Sequence, residues 1–284
     1  MKKIFMFPGQ GSQTLGMGDS LFEEFPNETT LASDILGYCI KELCLKDKDN
    51  QLNQTQFTQP ALYVVNALSL LRLQSQGTYP ELVLGHSLGE YNALLAANVF
   101  DFETGLKLVQ KRGLLMSQCS GGGMLAIIGM SWNQIKEVLK KNDLEKIDLA
   151  NHNGPHQVII SGPTSLIDQA IPVFQKEGAK KTISLPVSGA FHSRYMVSIQ
   201  DKFSTFLDTA SFKDPSLPVI SNVTAKPYTF STIKTNLSEQ IVQPVRWVES
   251  LEYILKQEDL SCVEVGPGKV LTGLFNRFKK TYSS

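Results

Sequence analysis

Histidine and cysteine are scarce in this chain, with four of each in 284 residues. Cys39, Cys44, Cys119 and Cys262 show neither a Cys-x-x-Cys pair nor zinc spacing. His86, His152, His156 and His192 do not fall among acids or cysteines in a metal-ligand pattern, so no metal is expected. Charge of either sign is not in excess: Lys+Arg and Asp+Glu both number 27. That balance lacks the basic surface a general nucleic-acid binder needs to neutralise phosphates, and no nucleic-acid partner is expected. No apolar run approaches the ~20 residues of a membrane span. The opening "KKIFMF" is cut off by Pro8, too short for a signal peptide and better read as a strand. Without an export signal the cysteines read as free thiols in a reducing cytoplasm. Repeats, low-complexity tracts and linkers are absent as well. The Gly-rich turns "FPGQGSQ" and "VGPGKV" fit neither G-x-G-x-x-G nor G-x-x-x-x-G-K-[ST], which argues against a phosphate loop.

What is present suits a globular protein with one large domain, or one large and one small: 42% of the residues are hydrophobic and 19% charged. Strand and helix signals alternate at first. Strand Ile4–Phe7 leads to the Gly-rich turn, a helix runs through "QPALYVVNALSLLRLQ", strand Leu82–Leu84 follows, and a helix spans Leu88 to Ala97. Such alternation implies a parallel sheet covered on both faces. The middle reads strand ("GGGMLAIIGM"), helix ("SWNQIKEVLKKN"), two strands ("KIDLANHNG", "HQVIISG"), helix ("TSLIDQAIPVFQKEG") and strand ("KTISLPVS"). That is the β-α-β-β-α-β order of a ferredoxin-like unit. "LPVISNVT" and "CVEVGPG" then return to the large sheet. The expected class is therefore α/β, with a parallel-sheet, hydrolase-like core in residues 1–122 and 189–284. A small inserted ferredoxin-like domain takes residues 123–188. A ligand cleft between the two follows, since binding sites favour domain interfaces.

Gly85-His86-Ser87-Leu88-Gly89 sits between a short apolar strand and a helix. It reads either as a nucleophile elbow or as a tight strand-to-helix turn. If Ser87 is a nucleophile it needs a base, and His is the usual one near neutral pH. His86 adjoins Ser87 but points elsewhere at an elbow, and His152 and His156 suit hydrogen-bonding or surface roles. His192, in "PVSGAFHSRYM", sits where the chain crosses back from the small domain and is the best-placed partner. No His follows it, so the Ser, acid, C-terminal His order of an α/β-hydrolase fits poorly. On a helix through "FDFETGLKLVQKRGLLMSQ", Arg112 projects into the apolar arc of Leu108, Val109, Leu115 and Met116. A guanidinium there needs an anionic partner, either an internal Asp or Glu or a carboxylate arriving with the substrate. The loop after the first strand, with the Leu88 amide, could form an oxyanion hole.

Taken together, "PGQGSQ", "QPAL", "GHSLGEYNAL", "KRGLLM", "GAFHS", "EQIVQPVRW" and "EVGPGKVLTGL" resemble the malonyl-CoA:acyl carrier protein transacylase family, in its order and over essentially the whole chain. The stand-alone length and "LNQTQFTQPALYVVNALSLL" look most like the discrete acyltransferases that serve polyketide synthases in trans, with the fatty-acid enzyme a near second. The resemblance implies that Ser87 accepts the acyl group and that His192 is its base. It makes Arg112 the ligand of the malonyl carboxylate and puts Gln10 and Leu88 at the oxyanion hole. Phe191 and Gln240 join the substrate-binding residues, Phe191 crowding the α-carbon so that malonyl fits better than methylmalonyl. A main-chain carbonyl near Gln240 is expected to orient the His in place of an acid. Malonyl-CoA and an acyl carrier protein are the implied partners, with no cofactor, since the phosphopantetheine arm belongs to the carrier. Nothing demands more than a monomer. Two residues depart from the family pattern: Asn92 replaces a small residue, and Gln243 a more usual Asn. An acyl hydrolase of the same family and a non-catalytic docking subunit are the alternatives. Arg112 and Phe191 count against the first, and the full set of catalytic residues against the second.

Overall fold

The computed structural model describes residues 1–257 and 259–282. Strand β1 (Lys2–Phe7) is followed by α1 (Asp19–Glu24), α2 (Pro26–Leu36), α3 (Ile40–Leu45) and the long α4 (Thr55–Ser75). Helix α4 starts four residues before the expected Gln59 and takes Pro60 into its interior. Proline has no N–H to give, so the carbonyl one turn back loses its usual helical donor there. Next come β2 (Leu82–Gly85), α5 (Gly89–Ala96) and α6 (Phe102–Ser117). The side chain of Asp101 caps α6 by accepting from Thr104 N–H at 2.8 Å.

A second body follows: β3 (Gly122–Ile128), α7 (Trp132–Lys141), β4 (Asp148–Gly154), β5 (Gln157–Pro163), α8 (Thr164–Lys176) and β6 (Lys181–Ser184). Its sheet has the order β4-β5-β3-β6 with every pair antiparallel, the ferredoxin-like arrangement. Strand β6 stops four residues short of the expected Ser188. Pro186 cannot donate to a ladder, and Val187 N–H turns back to the Leu185 carbonyl at 2.9 Å. The chain then returns through α9 (Val197–Leu207), β7 (Val219–Ile220), α10 (Ile233–Glu239), α11 (Trp247–Leu255), β8 (Leu260–Glu264) and α12 (Val270–Tyr282). The first sheet has the order β7-β2-β1-β8, all parallel, and β7 contributes only two residues. We propose the domain division at 122/123 and 188/189, supported to within a residue at its first edge by these two separate sheets, since Gly122 already pairs with Pro163 as the first residue of β3. Residues 258, 283 and 284 of the large domain lie outside the described ones.

The parallel sheet is apolar on both faces because both are covered. Phe5, Phe7 and Val83 look toward α4, α5 and α6, while Ile4, Met6, Leu82 and Leu84 pack with Trp247, Leu251, Leu271 and Phe275. The two bodies are stitched at β4, where His152 N–H donates to the Val245 carbonyl (2.9 Å) and Val245 N–H to that of Ala150 (2.8 Å). Among the described residues, no helix is long and apolar enough to cross a membrane.

Adjacent strands β1 and β2 end side by side, which brings the loop after β1 against the turn into α5. The contact tolerates no side chain at two glycines. A Cβ on Gly89 would lie 2.0 Å from the Phe7 carbonyl oxygen, and one on Gly85 2.0 Å from the carbonyl of Gly89. All of these obstacles are backbone atoms that cannot rotate away. Gly89→Ala is therefore expected to destabilise the fold by roughly 3 kcal/mol or more, through overpacking against main chain. A denaturant melt beside the parent protein measures it; a change below 1 kcal/mol would mean that the two strand ends are free to separate.

Candidate active site

Ser87 occupies the left-handed region with φ 50°, a conformation uncommon outside glycine, and so stands proud of the turn between β2 and α5. Asn222, just past β7, fixes this turn from below. Its Oδ1 accepts from Ser87 N–H at 2.7 Å, and its Nδ2 donates to the Gly85 carbonyl at 2.6 Å. The Ser87 hydroxyl lies 2.8 Å from His192 Nε2. His192 is also left-handed, with φ 57°, in the segment that crosses from β6 to α9. Its Nδ1 faces two main-chain carbonyls, Gln240 at 2.8 Å and Gln243 at 3.2 Å. Two acceptors on one nitrogen require the proton there, so Nε2 carries the lone pair that faces the serine.

Arg112, from the middle of α6, is only 1% exposed. It donates to Gln59 Oε1 at 2.7 Å, to Gln240 Oε1 at 2.9 Å and to Ser87 Oγ at 3.1 Å, and its guanidinium carbon is 5.7 Å from the centre of the Tyr91 ring. Its Nε finds no hydrogen-bond partner among the described residues. Of the two readings of this arginine, the internal ion pair does not occur among the described residues: every group it is seen to touch is neutral. The nearest acid, Glu90, is one residue removed. Glu90 Oε1 accepts from Asn222 N–H (2.7 Å) and Tyr228 OH (2.9 Å), and its Oε2 accepts from Gln240 Nε2.

Burial sets the protonation states. Desolvation first, and then the positive Arg112, hold His192 down at about 3, so its imidazole is neutral and able to act as a base at ordinary pH. Burial lifts Glu90 to about 7 against the pull of its three donors and of Arg112. The His86 ring is lowered by burial too; it lies against Asn153 Oδ1 at 2.7 Å and edge-on to Trp247, turned away from the serine. His152 bonds Glu249 at 3.3 Å and His156 is exposed.

A narrow cavity opens on Ser87 and His192, with Gln10 and Gln59 on one side and Met116, Met124, Leu185 and Phe191 forming an apolar wall. The loop after β1 presses on the elbow so closely that a Cβ on Gly9 would meet the His86 carbonyl oxygen at 2.3 Å and come 3.5 Å from Leu88 N. The Gln10 and Leu88 amides donate to no protein acceptor among the described residues, while the Gln10 side chain is tied to Thr55 Oγ1 at 3.2 Å. Gln240, expected beside the substrate, is fully buried, and its amide is wholly engaged with Arg112, Ser87 and Glu90. Asn92 spans two helices: its Nδ2 donates to the Tyr63 carbonyl (2.9 Å) and its Oδ1 accepts from Asn66 Nδ2 (3.0 Å). Asn66 also holds the Pro8 carbonyl at 3.0 Å. Gln59 and Glu90 lie inside the quoted stretches "QPAL" and "GHSLGEYNAL" without being singled out there, and Asn222 and Asn66 carry no motif of their own.

A serine hydroxyl shared between a neutral imidazole and a guanidinium, below free amides at two strand ends, defines a protein that can take an acyl group onto serine. Residues 4–283 match the acyl transferase domain family, and the chain belongs to that family. It is 52% identical to the polyketide biosynthesis malonyl CoA-acyl carrier protein transacylase PksC of Bacillus subtilis, over 97% of this chain and 96% of that protein. The malonyl CoA-acyl carrier protein transacylase of Staphylococcus aureus is 37% identical, over 98% of this chain and 93% of its own. Among solved structures, the malonyl CoA-acyl carrier protein transacylase of Burkholderia pseudomallei superposes with a TM-score of 0.95 at 46% identity, covering 99% of this chain and 98% of that one. A malonyl-transacylase solved with a type II polyketide-synthase acyl-carrier protein gives 0.94 at 37% identity, covering 99% and 94%.

The two shifted groups pull stability in opposite directions with pH. Between about 3 and 6.5 the unfolded chain binds a proton that folded His192 refuses, so its contribution falls as pH is lowered through that window. Between 4.5 and about 7 folded Glu90 holds a proton that the unfolded chain has lost, so its contribution falls as pH is raised. Replacing His192 by Asn removes the first slope only. Relative to the parent, His192→Asn is expected to gain up to about 1.4 kcal/mol per pH unit as pH falls from 6.5 toward 4.5. Parallel denaturant melts across that range would refute this by keeping a constant difference.

Proposed function

We propose that this chain transfers a malonyl group from malonyl-CoA to the phosphopantetheine thiol of an acyl carrier protein, through an ester on Ser87. The observation that carries the reading is Arg112: a buried guanidinium that touches the Ser87 hydroxyl and has no carboxylate in contact among the described residues. A charge buried at such cost is well used if the partner arrives with the acyl group. Ser87 gives its proton to His192 Nε2 as Oγ attacks the thioester carbonyl. The Gln10 and Leu88 amides hold the oxyanion. Collapse of the intermediate breaks the C–S bond, and the departing CoA sulfur takes the proton from His192. The carrier's thiol then gives its proton to the same nitrogen, attacks the ester, and leaves Ser87 reprotonated.

Arg112 holds the malonyl carboxylate in a two-pronged clamp, and Phe191 narrows the space beside the α-carbon. The exchange needs no cofactor, since malonyl-CoA is a substrate and the pantetheine arm comes with the carrier. Polyketide synthesis is the favoured pathway, supported by the half-identical relative of that name, and the reducing cytoplasm suits an enzyme whose acceptor is a thiol.

Ser87→Ala should abolish covalent labelling by radiolabelled malonyl-CoA, and the parent should pass its label to the carrier protein. A parent that releases only free malonate is a hydrolase, and a labelled Ser87→Ala protein would move the nucleophile elsewhere. Arg112→Ala should cost the malonyl substrate ~2–5 kcal/mol, or roughly 30- to 5,000-fold in kcat/KM. Acetyl-CoA, without a carboxylate, should lose far less; equal losses for the two esters would remove Arg112 from substrate recognition.

A further inference from the structure

Glu90 is fully buried in the first turn of α5, and no step of the exchange uses it. Everything its carboxylate touches is a donor. Asn222 N–H is a backbone group that can only give, so Oε1 must remain an oxygen. That leaves Oε2 to face Gln240 Nε2. The Gln240 amide has just two orientations. In the one observed, Nε2 donates to Glu90 and to the Ser87 carbonyl (2.9 Å) while Oε1 accepts from Arg112 (2.9 Å). Turned by half a revolution, its oxygen would confront two acceptors and its nitrogen would confront the guanidinium.

We propose that Glu90 is a positioning residue for acyl-group specificity: through Gln240 it aims the Arg112 guanidinium at the Ser87 hydroxyl while staying out of contact with it. The negative charge lies one amide away. It is close enough to fix which end of Gln240 meets the arginine, and too far to take the place of a substrate carboxylate. This inference rests on the malonyl-transfer reading above, and it assigns to the elbow helix a task in choosing the substrate. The same Gln240 lends its main-chain carbonyl to His192, so the acid also steadies the base at one remove.

The test compares kcat/KM for malonyl-CoA and acetyl-CoA at pH 8 in the parent, Glu90→Gln and Glu90→Gln/Gln240→Glu. In the single variant a carboxamide NH2 faces Gln240 Nε2, and the relief open to Gln240 is to turn its nitrogen onto Arg112. Losing a charged group's acceptor should lower the malonyl-to-acetyl ratio about 10- to 100-fold. The double variant restores a donor–acceptor pair at position 90 but seats a carboxylate directly on Arg112, so its ratio should fall at least as far. A purely structural role would instead lower both substrates together and leave the ratio at its parent value. That result in either folded variant overturns the proposal.

The parent itself supplies a measurement that no misfolded variant can obscure. The charged and titratable groups facing Glu90 are Arg112 from α6, Tyr91 beside it, Tyr228 after β7, and His192 beyond Gln240. Both tyrosines are raised and His192 is lowered by burial, so Glu90 is the group among them that changes between pH 6 and 8. A proton on Oε2 presents Gln240 with a donor, as the glutamine variant does, so the parent's ratio should fall on going from pH 8 to pH 6. A flat ratio overturns the proposal. A parent that takes no malonyl label on Ser87 at pH 8 would overturn the functional reading instead, before Glu90 is in question.

Discussion

A guanidinium stripped of water dictates the arrangement of almost everything around it. Arg112 meets no acid among the described residues, and burying its charge among hydrocarbon would be prohibitive without other compensation. The compensation is dispersed: two carboxamide oxygens, a serine hydroxyl and the face of a tyrosine. Each of those groups must in turn be held. Gln59 is seated by Met116, whose sulfur accepts from its Nε2 at 3.4 Å, and Gln240 by Glu90 and the Ser87 carbonyl. The reactive hydroxyl is one of the arginine's own ligands, so substrate recognition and chemistry share one hydrogen-bonded unit.

The fold delivers these groups by placing strand ends together. The ends of β1 and β2 bring the amide loop and the serine side by side, and just past the short β7 comes the asparagine that pins the turn. The crossing from the small sheet supplies the imidazole, and the stitch at Val245 keeps that sheet against the segment whose carbonyls hold it. Ser87 and His192 are among the eight described non-glycine residues with positive φ, and of those eight they alone carry the reacting groups of the site. Such strain persists where surrounding contacts leave no alternative, and here it exposes both reacting side chains.

Much of this could be read from the chain itself. Buried strands, the elbow pentapeptide and the β-α-β-β-α-β order carry local signals: apolar runs, glycines at contact points, and a change of period. Arg112 stood out because a fixed charge broke an apolar arc. Asn222 was illegible because an isolated amide announces nothing until the fold shows what it touches, and "QPAL" marked the place of Gln59 without revealing its hold on Arg112. Strand β6 was read too long because its apolar pattern continues through Pro186, where the ladder cannot. Gln240 was placed by resemblance beside the substrate; its buried side chain is spent within the protein. Asn92 and Gln243, which broke the family pattern, have plain physical accounts. Asn92 joins α4 to α5, and Gln243 contributes through its carbonyl.

That carbonyl contact bears on what genetics could ever reveal. Where a carboxylate orients a catalytic histidine, one nucleotide change can erase the third member of the set. In this chain both acceptors on His192 Nδ1 belong to the main chain, which every amino acid carries. Point substitution cannot delete them, only displace them, and residue 243 can drift from one amino acid to another with the acceptor intact. At position 243, whose side chain takes no part in that contact, a saturation screen would therefore pass over the support of the histidine, because selection acts there on the path of the chain and not on its letters.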